Sequence, residues 1–348
     1  MELLKLLGID VPIIQAPMAG VSTPAMAAAV SNSGALGSIG VGAVDARRAR
    51  RMISDVRDRC SRSFNVNVFC HERPSSRPEV NARWIERLRP QFERFNAPCP
   101  STLNEIYATF LDDEAMLAML IEERPRAVSF HFGLPSMERI SALRDAGIVL
   151  LASATNIFEG RAAMQAGVHA VVAQGYEAGG HRGIFDLAAP DDRLGTMSLT
   201  RLLVRELDIP VIAAGGIMDG AGIAAALRLG AAAAQLGTAF IGCDESDADS
   251  YYRAALGSDA ANHTVMTRAI SGRPARCLAN QFTGMYDHVA AEDIPAYPLA
   301  YDAGKALNAA AKNQGEGGFG AQWAGQGAPL ARSLPAARLI ATLVDEMN

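Results

Sequence analysis

The sequence predicts a (β/α)8 barrel carrying a small inserted lid. Three observations predict it. Eight short apolar runs recur between residues 13 and 236, mostly separated by helical stretches, and that alternation calls for parallel pairing. Eight such units match a closed barrel better than an open doubly wound sheet, the runner-up architecture. After the eighth run the pattern changes: His263 to Gly327 is irregular and aromatic-bearing, and a last amphipathic helix follows. The expected organisation is a barrel over 1–262 closed by a helix in 328–348, with 263–327 inserted as a lid over the mouth. Phe282, Tyr286, Tyr297, Tyr301 and Trp323 argue that the insert packs rather than being disordered.

The elements follow in order. Ile13 to Ala16 is the first strand, and Ser22 or Thr23 can cap a helix with Pro24 in its first turn. Ala35 to Ile39 is the second strand, after which Asp45 starts an arginine-rich helix. Phe64 to Phe69 is the third. An excursion from Cys70 to about Pro125 is broken by prolines, with helical segments around Val80 to Leu88 and Asp112 to Glu123. Ala127 to Phe132 and Ile148 to Ala152 are the fourth and fifth strands. Thr155 or Asn156 caps the next helix, and Val168 to Val172 is the sixth strand. A helix spans Ser198 to Leu207. Ile209 to Ala213 is the seventh strand, Ala221 to Leu229 a helix, and Ala233 to Leu236 the eighth strand. Asp249 to Leu256 can begin a closing helix, and the last helix runs from a Ser333 cap to Met347.

Bulk properties exclude several classes. The 348 residues are 49% hydrophobic and 20% charged, with a net charge of −5, so no general attraction to nucleic acid or anionic membrane follows. No apolar run reaches membrane-spanning length, and the acidic N-terminus does not resemble a signal peptide. Five dispersed cysteines with no zinc spacing suit reduced thiols in a cytoplasmic protein, with no metal expected. Lysine occurs only at Lys5, Lys305 and Lys312.

Reactive groups in a barrel collect at the carboxyl ends of the strands. The sixth strand runs into Ala173 to Gly183, AQGYEAGGHRG, where three glycines let backbone approach a ligand and His181 ends the turn. The plainer reading is a tight turn with a solvated histidine. The seventh and eighth strands end in Gly215-Gly216 and Gly237-Thr238, turns whose free N–H groups suit a phosphate. Asn67 and Gln174 bring amides to strand ends, matching a flat heteroaromatic ring with alternating carbonyl and N–H edges, such as an isoalloxazine. A buried turn role is the alternative for both.

Four stretches carry a resemblance: QAPMAGV at 15–21, FHFG at 130–133, AQGYEAGGHRG at 173–183 and WAGQG at 323–327. In that order, over nearly the whole chain, they resemble the signature stretches of bacterial class I nitronate monooxygenases, formerly called 2-nitropropane dioxygenases. The resemblance implies an FMN-binding barrel that oxidises alkyl nitronates, notably propionate 3-nitronate, with O2 to a carbonyl compound plus nitrite and nitrate. It implies one-electron transfer to the flavin and no productive use of nicotinamide. It also implies FMN contacts at Asn67, Gln174, Gly179, Gly216 and the run Gln235, Leu236, Gly237 and Thr238, with Met18 along the flavin.

On that footing His181 is the expected catalytic residue. It either holds the anionic nitro oxygens or, as a neutral base, takes an α-proton from a nitroalkane; anion placement is the favoured role. His131 is a second donor or a pocket wall, unless it is a satisfied core histidine. Lys305, Tyr297 and Tyr301 are candidates for a substrate carboxylate, with Tyr107 a weaker one. Expected partners are the nitronate and O2, with a homodimer allowed for. The nearest rival is an FMN-dependent NAD(P)H enoyl-thioester reductase, which shares the glycine turns and the histidine. The other is a flavin- or phosphate-binding protein without activity.

Overall fold

The computed structural model describes residues 2–75 and 77–347; the terminal residues 1 and 348 of the expected barrel unit lie outside them. The strands are β1 (Ile13–Gln15), β2 (Gly37–Gly40), β3 (Phe64–Phe69), β4 (Ala127–His131), β5 (Val149–Ala154), β6 (Ala170–Gln174), β7 (Gly180–His181), β8 (Val211–Ala214), β9 (Ala233–Leu236), β10 (Thr264–Thr267) and β11 (Ala275–Leu278). Eight of them form one parallel sheet in the order β1-β9-β8-β6-β5-β4-β3-β2. It closes on itself beside β2: Gln15 N–H donates to Leu36 O at 2.9 Å and Leu36 N–H to Ile13 O at 3.0 Å. The fold is therefore the expected barrel, not the open sheet.

The helices are α1 (Glu2–Leu7), α2 (Pro24–Asn32), α3 (Ala46–Arg57), α4 (Pro78–Arg94), α5 (Glu114–Glu123), α6 (Met137–Asp145), α7 (Ile157–Gln165), α8 (Thr196–Glu206), α9 (Gly220–Arg228), α10 (Thr238–Ile241), α11 (Ser250–Leu256), α12 (Gln281–Tyr286), α13 (Leu299–Asn313) and α14 (Ala336–Glu346). Thr23 caps α2, Asp45 caps α3 and Asn156 caps α7, each side chain accepting the N–H three residues on. Leu3 and Leu7 of α1 are buried with Ile14, Leu36, Leu151 and Val172, plugging one end of the barrel. Towards the other end the interior turns polar: Asn65 Nδ2 donates to Ser38 Oγ at 3.2 Å and to Ser129 Oγ at 2.9 Å. Apolar packing closes one end, and this hydrogen-bonded belt floors the other.

Three expectations change. The stretch 263–327 is not irregular: it holds the hairpin β10–β11, helix α12 and the 15-residue helix α13. Alanines fill much of α13, and small side chains leave a faint apolar period; Gly304 lies where a Cβ would come 2.8 Å from Ile270 O. Ser333 caps nothing. Helix α14 begins only after Pro335, because a residue preceding proline is driven out of the helical region. The excursion after β3 also does more than connect. Trp84, Leu88 and Phe92 of α4, with Phe95 just after it, share one core with Phe282, Ala303, Leu307 and Phe319. The body above the barrel mouth is thus built from two chain segments. Among the described residues no helix is long and apolar enough to cross a membrane.

Candidate functional site

A cavity of about 500 Å³ opens at the carboxyl ends of the strands, roofed by α13 and the segment 317–327. Met18, Asn67, Gln174, Gly179, Gly216 and Gln235 line it, as do Gly237 and Thr238. His131, His181, Tyr297, Tyr301 and Lys305 face the same space. Of the expected set, Leu236 does not: its side chain is buried in the core with Ile13, Met26 and Phe240.

One end of the cavity is bare backbone. Gly215 and Gly216 follow β8 with φ of +123° and +71°, a region that side chains avoid. Gly179 has no room for a side chain, since a Cβ there would lie 2.5 Å from Gly325 N. Among the described residues the N–H groups of Gly179, Gly216 and Gly237 donate to no protein acceptor. Three unspent donors at one end of a cavity form an anion cradle. The Thr238 hydroxyl is engaged, accepting from Gly325 N–H at 3.0 Å.

The amides do more than line the wall. Asn67 Nδ2 donates to Ser129 O at 3.0 Å and Ser129 Oγ at 2.9 Å. Gln174 Nε2 donates to His181 O at 2.9 Å, and Gln174 Oε1 accepts from Gly183 N–H at 2.7 Å. Gln174 therefore folds the turn that presents His181, with one N–H left uncommitted.

His131 was expected as a second donor to a ligand or a wall of the pocket, and both its ring nitrogens are committed to protein groups. Nε2 lies 3.1 Å from His181 O and must carry a proton to bond a carbonyl, so Nδ1, 2.9 Å from Ser153 Oγ, is the acceptor. Burial pushes this imidazole down to about 4, with Arg273 and Arg182 adding repulsion. Half-buried, it forms part of the cavity wall and braces His181.

His181 is not a loop residue. It lies in β7, which pairs antiparallel with β11, His181 opposite Ala275. Its ring is half-buried between Trp323 (centroids 5.0 Å), Tyr297 (5.4 Å), Phe132 (5.5 Å) and Tyr301 (6.0 Å). Enclosure holds it well below the usual imidazole range, helped by His131 and the Arg273 charge, so the ring is neutral. Nε2 lies 2.8 Å from Ser271 Oγ, and that hydroxyl donates onward to Arg273 O at 3.2 Å. Ser271 then accepts from His181 Nε2–H. Nδ1 keeps a lone pair and bonds no protein group among the described residues.

Donors gather opposite. Lys305 Nζ donates to Tyr107 Oη at 2.6 Å, and Trp323 Nε1 to Tyr301 Oη at 3.3 Å. Each phenol oxygen accepts, so each phenol proton is free to point elsewhere. Tyr297 is buried and its hydroxyl has no partner among the described residues. Burial pushes Tyr107 and Tyr301 up to about 12 and Tyr297 well above its usual value, which keeps all three as O–H donors. Ser271, Ser129 and Ser153 had no local sequence signal. The Trp323 motif was visible, but its contact with His181 was not.

Comparison with known proteins agrees with this architecture. A family model described as nitronate monooxygenase matches residues 1–346. The chain is 60% identical over 346 residues to a nitronate monooxygenase of Paraburkholderia phytofirmans, covering 99% of this chain and 94% of the relative. It is 51% identical over 347 residues to one of Pseudomonas aeruginosa, covering 99% and 98%. Among solved structures, a nitroalkane oxidase from Streptomyces ansochromogenes superposes with a TM-score of 0.90 at 40% identity, covering 100% and 98% of the two chains. FabK from Thermotoga maritima superposes with 0.74 at 29%, covering 99% and 95%.

Proposed function

This chain belongs to the nitronate monooxygenase family, and we propose that it is an FMN-dependent enzyme oxidising alkyl nitronates with O2. The products are a carbonyl compound with nitrite and nitrate, and propionate 3-nitronate is the favoured substrate. The observation that carries this reading is one cavity with an anion cradle of glycine N–H groups at one end and a neutral imidazole facing phenol donors and a lysine at the other.

The residues fit the cofactor. Gly179, Gly216 and Gly237 offer unspent N–H groups to its phosphate, and Asn67 and Gln174 stand at the strand ends for its ring edge. Gly237 lies beside the Met18 side chain in the same cavity wall. When bound, the flavin supplies one-electron chemistry that O2 completes.

The chain's own part is binding and proton control. A nitronate carries its negative charge on the nitro oxygens, which the O–H groups of Tyr107, Tyr297 and Tyr301 suit. The Lys305 ammonium suits a substrate's carboxylate. His181 is neutral with a bare Nδ1, so the anion-holding role favoured for it passes to the tyrosines. Nδ1 serves as acceptor for the α-proton of a neutral nitroalkane, a slower route than direct use of the nitronate. We place the enzyme in the cytoplasm, on its five unpaired, dispersed cysteines, and allow for a homodimer.

Oxygen uptake by the flavin-loaded protein tests the reading. Rapid uptake with propionate 3-nitronate and no nicotinamide supports it. Rapid anaerobic bleaching of the flavin by NADH or NADPH, without nitronate turnover, would replace it with the enoyl-thioester reductase reading. Bound flavin with neither activity would leave a binding protein.

A further inference from the structure

Arg273 is a buried cation that the chemistry above does not use. Only 3% of it is exposed. It has no carboxylate partner among the described residues, and its Nε donates to nothing. A buried, unpaired guanidinium costs stability, and such a group is kept where its charge has a use. Its place supplies one. The guanidinium lies over the ring of Phe132 at 4.4 Å, and that ring touches three imidazoles: His131 (4.6 Å), His181 (5.5 Å) and His71 (6.3 Å). Phe132 itself sits at φ +76°, a strained backbone for a bulky residue.

The segment around Arg273 grips residues 181–184 at four points, two of them on His181 itself. Ser271 Oγ meets the imidazole at 2.8 Å, Pro274 O accepts Arg182 N–H at 2.8 Å, and Ala275 pairs with His181 across the sheet. Arg273 Nη2 donates to Ile184 O, three residues beyond His181. We infer that Arg273 is a positioning residue for the nitronate reaction: from behind Phe132 it holds His181 as the uncharged, Nε2-protonated tautomer. The inference rests on the reading of His181 given above.

Burial comes first in keeping His181 neutral, with His131 and then Arg273 adding repulsion. His131 from β4 and His71 from beyond β3 are themselves pushed down to about 4 by burial, so neither carries charge near neutrality. Tyr297 and Tyr301 stay protonated. Lys305 is engaged with Tyr107, and Arg182 is paired with Asp191 at 2.8 Å. Around Arg273 itself stand Tyr297, Arg268, Glu159 and Glu72. Glu159 is occupied with Thr155 and the Phe185 N–H.

The test is a titration of the histidine rings by nitrogen NMR on flavin-loaded protein, with His181→Gln identifying the His181 signals. In the parent protein His181 should show the Nε2–H tautomer and stay neutral well below the pH at which a free imidazole titrates. In Arg273→Met its midpoint should rise by about one pH unit or more, and in Arg273→Lys, which keeps the charge, by much less. The acid limb of kcat/KM with a neutral nitroalkane should follow the same shifts. An unmoved midpoint in Arg273→Met, or equal shifts in the Met and Lys variants, overturns the inference. If Arg273→Met does not fold, Arg273→Gln, which keeps polar atoms but not the charge, takes its place: a raised midpoint supports the inference and an unmoved one overturns it. The titration needs no turnover, so failure of the nitronate reading, seen as absent oxygen uptake, is separable from failure of this one.

Discussion

The Nε2–H of His131 bonds the backbone carbonyl of His181 at 3.1 Å, so the tip of barrel strand β4 holds the backbone of β7, a strand of the small second sheet. Gln174 Nε2 donates to the same oxygen at 2.9 Å. Two donors on one carbonyl fix the plane from which the His181 ring projects. The half-buried His131 lines the cavity wall and also supports the site, and losing it should disturb geometry before affinity. His131→Phe is expected to lower kcat with propionate 3-nitronate by about tenfold while flavin content holds, since a small displacement of a reacting group is costly. Steady-state kinetics beside the absorption spectrum read both.

His181 itself should matter far more for neutral nitroalkanes than for nitronates. Removing a positioned proton acceptor costs about 10²-fold or more in kcat/KM. His181→Ala should show that loss with a nitroalkane, a smaller loss with the preformed nitronate, and unchanged flavin binding. Equal losses with both would return His181 to holding the anion.

Lys305 should separate substrates by charge. Lys305→Met is expected to raise KM for propionate 3-nitronate by about tenfold, the cost of losing a charged hydrogen bond, and to leave a simple alkyl nitronate within about twofold. Comparing the two KM values in one assay checks it. The same variant removes the donor to Tyr107, so a change common to both substrates would trace to that phenol instead.

The anion cradle depends on closeness. A Cβ at Gly179 would press on Gly325 N at 2.5 Å and on the Ala324 carbonyl carbon at 2.6 Å, both of them backbone. Gly179→Ala should therefore weaken flavin retention by about tenfold or more, at a stability cost on the order of 1–3 kcal/mol. Flavin content on purification and thermal melting distinguish the two effects.

Acid should unfold the protein early. The rings of His71 and His131 are pushed from an ordinary value of 6.5 down to about 4, chiefly by burial, so the folded chain binds fewer protons than the unfolded chain between those limits. Stability is then complete above pH 6.5 and falls as the pH drops towards 4, by about 1.4 kcal/mol per pH unit for each ring. His181 shifts in the same direction. Chemical denaturation at a series of pH values reads the slope, and His71→Phe should flatten it. A flat profile from pH 7 to 4 would contradict neutral burial of these rings.

By itself the sequence determined the barrel, the glycine turns at the tips of the last strands, and the sixth barrel strand that leads into the stretch carrying His181. Each is written in short-range chemistry: the period of apolar residues, the caps Thr23, Asp45 and Asn156, and the glycines at 179, 216 and 237. Only the tertiary structure decided the rest. Lys305 meets Tyr107 across 198 residues, His181 meets Ser271 across 90, and α4 completes a core with α13. Such contacts leave no local signature, because the residues that make them are ordinary in their own neighbourhoods. Their partners, and hence the neutral state of His181, appear only when barrel closure brings the strand tips beneath the segment that carries Ser271 and Arg273.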